Sequence, residues 1–159
     1  MARLSYIVPV YRPKLPIFEK CIKSLLDQSL TDWDATFVLD GPDESAKDTI
    51  HRMFKKKPNH YKIVEIEHGG ACKARNAGTE HASGDIILYW DSDCIIEPDA
   101  AQNWIDIFDR EPHTGFIYSS YKFLDEKGAI NTEMWDYWLL RVRNYISTCF
   151  PHRRSLTVR

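Results

Sequence analysis

Two aspartates one residue apart, Asp91 and Asp93, follow directly on the apolar run Ile86-Ile87-Leu88-Tyr89-Trp90. An apolar strand running into such a pair delivers two carboxylates onto one side of an extended segment, where they repel each other unless a positive charge lies between them. Hard divalent cations such as Mg²⁺ or Mn²⁺ prefer carboxylate oxygens and keep positions open for phosphate. Asp91-Ser92-Asp93 therefore predicts a metal that bridges a phosphorylated ligand. The plain alternative is an acidic turn, in which Asp93 turns the chain and Glu97 or Asp99 favours the start of the next helix through its dipole.

Two other charged residues have the right surroundings. Asp40 lies in Asp40-Gly41-Pro42-Asp43 at the end of an apolar run, where it either faces a ligand or bonds nearby backbone amides. Arg75 lies in Gly69-Gly70-Ala71-Cys72-Lys73-Ala74-Arg75-Asn76-Ala77-Gly78, whose small residues let a helix approach a ligand or another backbone closely. Its alternative is a surface ion pair.

The elements that position these residues alternate. Leu4 to Val10 reads as a buried strand, and Leu15, Phe18, Ile22, Leu25 and Leu26 mark a helix over 15–28 with Pro16 in its first turn. A strand over 35–39 precedes a helix carrying Ile50, Met53 and Phe54; a strand over 61–66 precedes a helix over 71–82; a strand over 85–90 precedes a helix opened by Pro98. A fifth strand is expected over 115–121, ahead of a turn at Glu126-Lys127-Gly128. Such alternation predicts an α/β fold with a mostly parallel sheet flanked by helices, and ligands in such sheets bind beyond the carboxyl ends of the strands. Tyr11, Asp40, Arg75, Asp91 and Asp93 then converge on one edge.

In order along the chain stand Ile7-Val8-Pro9-Val10-Tyr11, Phe37-Val38-Leu39-Asp40-Gly41, Ala74-Arg75-Asn76-Ala77-Gly78, Gly84-Asp85 and Asp91-Ser92-Asp93. This series resembles the family 2 glycosyltransferases, and the resemblance implies the Rossmann-like GT-A fold. It implies a donor site in which Pro9 to Tyr11 line a nucleotide pocket, Asp40 accepts from the base edge and Arg75 helps hold the nucleotide. Asp91 and Ser92 face the ribose or the metal, and Asp93 is the principal ligand of Mn²⁺ or Mg²⁺, with Asp91 beside it. The implied reaction is an inverting transfer of a sugar from a UDP-, GDP- or dTDP-sugar to a saccharide, lipid-linked or protein acceptor, with the metal as Lewis acid. Leu39, Arg12 and Cys94 depart from the family pattern, and Leu39 weakens any statement on the base. A nucleotidyltransferase is a rival, but Pro9-Val10-Tyr11-Arg12-Pro13 offers no Gly-rich phosphate loop. A catalytically inactive or incomplete binding or interaction module is another.

The remainder bounds the picture. With 159 residues, one domain is expected over 1–159, its donor half over 1–98 and the start of an acceptor half over 99–159. Lys plus Arg number 21 against 23 Asp plus Glu, so nucleic acid is not an expected partner. Cys21, Cys72, Cys94 and Cys149 lie far apart without Cys-x-x-Cys spacing, so neither a metal knot nor a disulfide framework is expected, and reduced thiols in a cytoplasmic protein fit. Trp135, Trp138, Leu139, Val142, Tyr145 and Ile146 recur at helical spacing. They predict a helix packed on the sheet, with a lipid-interface helix (peripheral membrane contact) or an acceptor groove as alternatives. No catalytic base can be assigned: Asp125, Glu126, Glu133 and Asp136 suit a turn and a helix start, and no carboxylate follows. That absence, with a basic, apolar-poor ending, is expected of a chain cut short on its acceptor side, or of a short protein completed by a partner.

Overall fold

The central strand is β1 (Leu4–Val10), and its residues are almost uniformly buried because helices cover both faces of the sheet it belongs to. The structure is a computed structural model and describes residues 2–122, 130–131, 134, 136–142 and 146–157. After β1 come α1 (Leu15–Leu26), β2 (Trp33–Asp40), α2 (Glu44–Met53), β3 (Tyr61–Ile66), α3 (Ala71–His81), β4 (Ile86–Tyr89) and α4 (Ala100–Arg110). A short pair, β5 (Tyr121–Lys122) and β6 (Ile130–Asn131), then α5 (Tyr137–Val142) and β7 (Pro151–Arg153), complete the described elements.

The main sheet has five strands in the order β3-β2-β1-β4-β7, with β7 alone antiparallel. Leu4, Tyr6, Val8 and Val10 point to one face, where Phe18, Ile22 and Leu25 of α1, Ile50 of α2 and Trp104, Ile105 and Phe108 of α4 enclose the larger core. Fully burying one such aliphatic or aromatic side chain stabilises the fold by about 1.5–3 kcal/mol. On the opposite face Ile7 meets Ala82, Ile87 and Tyr89 under α3. A Cβ at Gly78 would come within 2.3 Å of Ile7 Cγ2, so this glycine lets α3 lie directly on β1. Asp43 opens α2 by accepting from the Ala46 amide at 2.9 Å, a cap worth about 1 kcal/mol.

The strand order steps from β1 outward to β2 and β3 and then returns to β4 on the other side of β1, so a crevice opens between β1 and β4. β4 pairs with β1 only as far as Ile7↔Tyr89, with one more bond from the Trp90 amide to the Ile7 carbonyl at 2.8 Å. Alternation along β1 turns Pro9 toward that vacated side, where its missing N–H leaves no ladder bond unmade.

Two expectations need correction. The segment over 115–121 is not a strand of the main sheet: only Phe116 bridges His152, and Tyr121 pairs with Asn131 of β6 instead. The basic ending supplies β7, pairing Ile86↔Arg153, Ile87↔His152 and Leu88↔Pro151. Arg153 donates to the Thr114 carbonyl at 2.8 Å and the Phe108 carbonyl at 3.0 Å, and Arg154 to the Ala82 carbonyl at 2.6 Å. Helix α4 starts after Pro98 rather than at it, because the Pro98 carbonyl accepts from Ser29 and is held outside the helix.

In the region of the expected aromatic helix, α5 spans Tyr137–Val142, and Trp138 and Val142 are 70% and 80% exposed, so these two do not pack on the sheet. The Asp136 carboxylate accepts from the Trp138 amide at 2.8 Å, the helix-start role its sequence position suggests. Asp125, Glu126, Lys127, Gly128, Glu133, Trp135 and Tyr145 lie outside the described residues. Among the described helices none is long and apolar enough to cross a membrane.

Candidate functional site

Asp40 is the last residue of β2 and is buried. Its Oδ1 accepts from the Gly69 amide at 2.7 Å, and its Oδ2 accepts from the Gly70 amide at 3.0 Å and lies 2.9 Å from His68 Nδ1. These amides reach it because the loop between β3 and α3 folds back at Gly70, whose φ of 87° suits glycine. Burial pushes the Asp40 carboxyl up, but the two amides and His68 outweigh it and hold the group below the usual carboxylate value.

Tyr11, just past β1, stacks on His68 with ring centroids 4.3 Å apart and an interplanar angle of 16°. The Arg12 guanidinium lies 5.2 Å from the Tyr11 ring centroid, and Arg12 itself adopts a left-handed φ of 44°, which costs roughly 1–2 kcal/mol outside glycine. Tyr11, Arg12, Asp40, Gly41, Pro42, Asp43 and His68 line an open cleft of about 220 Å³. An aromatic face, buried acceptor oxygens and a cation thus meet at the carboxyl ends of β1 and β2.

The acidic segment after β4 is a turn rather than an extended stretch: the Cys94 amide donates to the Asp91 carbonyl at 3.0 Å. The two carboxylates are therefore placed by a turn rather than by strand alternation. Asp91 Oδ1 accepts from Arg75 of α3 at 2.8 Å, and Oδ2 accepts from Thr148 at 3.3 Å. Arg75 also lies 6.0 Å from the Tyr89 ring centroid, and its own Nε is buried without a hydrogen-bond partner among the described residues. Ser92 is half-buried and Asp93 exposed, the latter with the Cys94 thiol 4.0 Å from its Oδ1.

A feature absent from the sequence reading lies beside this turn. The sulfurs of Cys94 and Cys149, 55 residues apart, are 3.8 Å apart, and the Asp91 amide donates to the Cys149 sulfur at 3.5 Å. The hydrogen bond to Cys94 holds the Cys149 thiol below its ordinary value against burial, and the same bond, with burial, pushes Cys94 up. On the other side the buried Cys21 thiol donates to the Asp91 carbonyl at 3.7 Å.

The structure thus joins Arg75 to Asp91, groups Tyr11 with Asp40, and sets Pro9 at the crevice between the two groups. Sequence reasoning missed His68, although it stands just past β3, where residues at strand ends were the ones to examine. It also treated Arg12 only as a departure and had no means of pairing Cys94 with Cys149.

Comparisons with known proteins bear on the fold and the family. The sequence pattern of Glycosyl transferase family 2 matches residues 5–155. A chondroitin synthase of Pasteurella multocida is 25% identical over 158 residues, covering 98% of this chain but 16% of the relative. The chain therefore spans about a sixth of the length of that relative. Among solved structures, Staphylococcus aureus TarS superposes with a TM-score of 0.79 at 22% identity, covering 97% of this chain and 29% of TarS. A mannosyltransferase from Pyrobaculum calidifontis, solved with GDP-Man and Mn²⁺, gives a TM-score of 0.68 at 22% identity over 76% of this chain and 36% of its own. These structural likenesses establish the fold, a mixed α/β GT-A architecture. With that fold, the acidic turn after β4 and a sequence match running from β1 through β7, the chain belongs to glycosyl transferase family 2.

Proposed function

We propose that this chain binds a nucleoside-diphosphate sugar and supplies the donor side of a divalent-metal-dependent, inverting glycosyl transfer. The observation that carries the reading is the pairing of two sites at one sheet edge: the Tyr11–Asp40–His68 cleft beyond β1 and β2, and the Arg75–Asp91 pair with Asp93 beyond β4. The solved relatives support the ligand class: a TarS fragment is known in complex with UDP-GlcNAc, and the Pyrobaculum enzyme with GDP-Man and Mn²⁺.

In this reading the nucleobase enters the cleft against Tyr11. A carboxylate offers about four acceptor positions, and Asp40 uses three on Gly69, Gly70 and His68. One acceptor position is left for an N–H of the base edge. Arg75 directs its charge to the crevice where the diphosphate lies, and Pro9 and Ser92 border it. Asp93 and Asp91 offer the hard oxygen donors that Mn²⁺ or Mg²⁺ require, and a bound cation would neutralise charge growing on the departing nucleotide. Asp93 is exposed and has acceptor capacity for a cation.

Residues 1–98 form the donor half in this scheme, and residues from 99 begin the acceptor side, toward a saccharide, lipid-linked or protein hydroxyl. The reaction is set in the cytoplasm, with peripheral membrane contact through the exposed Trp138 and Val142. The test is a thermal-shift screen of the purified chain against UDP, GDP, dTDP and CDP, each with and without Mn²⁺. A ligand that binds only the native state at a hundred times its Kd raises stability by about 2.7 kcal/mol. A metal-dependent rise with one nucleotide is expected; no rise with any leaves a fold without a working donor site.

A further inference from the structure

We propose that Cys94 and Cys149, with Asp91, form a binding site for a thiophilic divalent cation, Zn²⁺, distinct in chemistry from the oxygen-ligated site of Asp93. The Asp91 carboxylate and the two sulfurs offer one ligand atom each, all within 4.8 Å of one another. Two thiolates bound to zinc at about 2.3 Å with tetrahedral angles stand about 3.8 Å apart, and the Cys94 and Cys149 sulfurs are 3.8 Å apart. That spacing is well beyond the roughly 2.05 Å of a disulfide. The donor set then needs only a central ion and a fourth ligand, for which water or a phosphate oxygen suffices.

The fold builds this arrangement from two distant segments. Antiparallel pairing of Leu88 with Pro151 carries Cys149 to a position across from Trp90, next to Asp91. The Cys94 amide closes the acidic turn on the Asp91 carbonyl, which brings the Cys94 side chain back to the same place. Arg75 and Thr148 orient the Asp91 carboxylate from outside, as partners of metal-ligating carboxylates do. Soft thiolates select Zn²⁺ over Mg²⁺ and Mn²⁺. Binding replaces each S–H bond by an S–Zn bond and releases both thiol protons to solvent. Because Asp91 belongs to both ligand sets, Zn²⁺ here antagonises Mn²⁺-dependent nucleotide binding, a consequence that rests on the donor-site reading above.

Titration of the reduced, purified chain with Co²⁺ tests the site. One equivalent is expected to raise thiolate-to-metal charge-transfer absorption in the near ultraviolet with tetrahedral visible bands, and Zn²⁺ is expected to abolish both. Cys94→Ser and Cys149→Ser are each expected to weaken Zn²⁺ binding by at least roughly tenfold, since even losing a partner that only orients a ligand costs that much. Cys72→Ser, at an exposed thiol, is expected to change nothing. Absence of the charge-transfer band in the wild-type chain, which needs no variant to fold, overturns the proposal and leaves a hydrogen-bonded thiol pair. So does Zn²⁺ binding that survives both serine variants. A missing band alongside an intact Mn²⁺-dependent nucleotide shift sinks this proposal alone; a band without any nucleotide shift sinks the donor-site reading alone.

Discussion

Asp40 and Asp91 stand at equivalent places, each at the carboxyl end of a parallel strand beside β1, and they are held by different means. Asp40 is buried and gripped largely by main-chain amides of Gly69 and Gly70, donors fixed by the loop itself. Asp91, whose side chain is 38% exposed, is held by the side chains of Arg75 and Thr148, and Asp93 beyond it is exposed. Main-chain donors cannot leave when a ligand arrives, whereas side-chain donors can turn to phosphate or yield to a cation. One carboxylate is a joint of the fold that also lines the cleft; the other is an adjustable group.

The largest effect expected from this contrast is on Asp40→Ala. Removing a buried acceptor of charge-assisted hydrogen bonds leaves its donors unpaired, at about 2–3 kcal/mol. In a chain of this length that corresponds to a fall in Tm of roughly 5–10 °C. Calorimetry of the unliganded variant checks it, and a Tm within 1–2 °C of wild type, about what a neutral surface change gives, would erase the difference between the two aspartates. Arg75→Ala comes next. Its ion pair with Asp91 is partly solvated, so about 1 kcal/mol is expected from the pair and the lost packing on Tyr89 together. Urea denaturation should show a midpoint shift that the double variant Arg75→Ala, Asp91→Asn does not enlarge by simple addition.

Acid sharpens the same contrast. The native carboxyl of Asp40 sits below its ordinary value, so its contribution to stability is complete above that ordinary value and is lost as pH falls through the lower native one. His152 acts at higher pH: burial lowers its proton affinity, so the unfolded chain takes up a proton first and stability falls as pH drops below the ordinary histidine value. Thermal denaturation from pH 7.5 down to pH 3 should therefore lose stability in two separated stages. Asp40→Asn should remove the lower stage and His152→Phe the upper; a lower stage that persists in Asp40→Asn would assign it to other carboxylates.

How much of this was legible in the sequence follows from the range of the interactions. The strands and helices up to α4 were readable because apolar spacing and turn residues are local signals. Tyr11, Asp40 and Asp91 were singled out by the rule that ligands gather at strand ends, and Arg75 by the small residues around it. What escaped is long-range. The antiparallel strand β7 carries only three residues, one of them proline, so its pattern is too short to announce a strand, yet its pairing with β4 carries Cys149 toward Cys94. His68 escaped because a histidine before two glycines reads as loop, and only the fold-back at Gly70 turns it onto Asp40.

The smallest effect on the unliganded chain is expected from Asp93→Ala, and there the contrast is most exposed to failure. Asp93 lies in a turn closed by main-chain bonding between Cys94 and Asp91, and its own carboxylate joins nothing across the fold among the described residues. Removing it should move unliganded stability by no more than about 0.5 kcal/mol. If Asp93 is instead the principal oxygen ligand of the cation, the same variant abolishes the Mn²⁺-dependent part of nucleotide binding and leaves the metal-independent part, set by Tyr11 and Asp40, in place. Calorimetric titration of the nucleotide with and without Mn²⁺ separates the two. An unchanged metal increment would return Asp93 to the role of a turn residue, and a collapse of binding under both conditions would mean that the cleft and the acidic turn form one site rather than two adjoining ones.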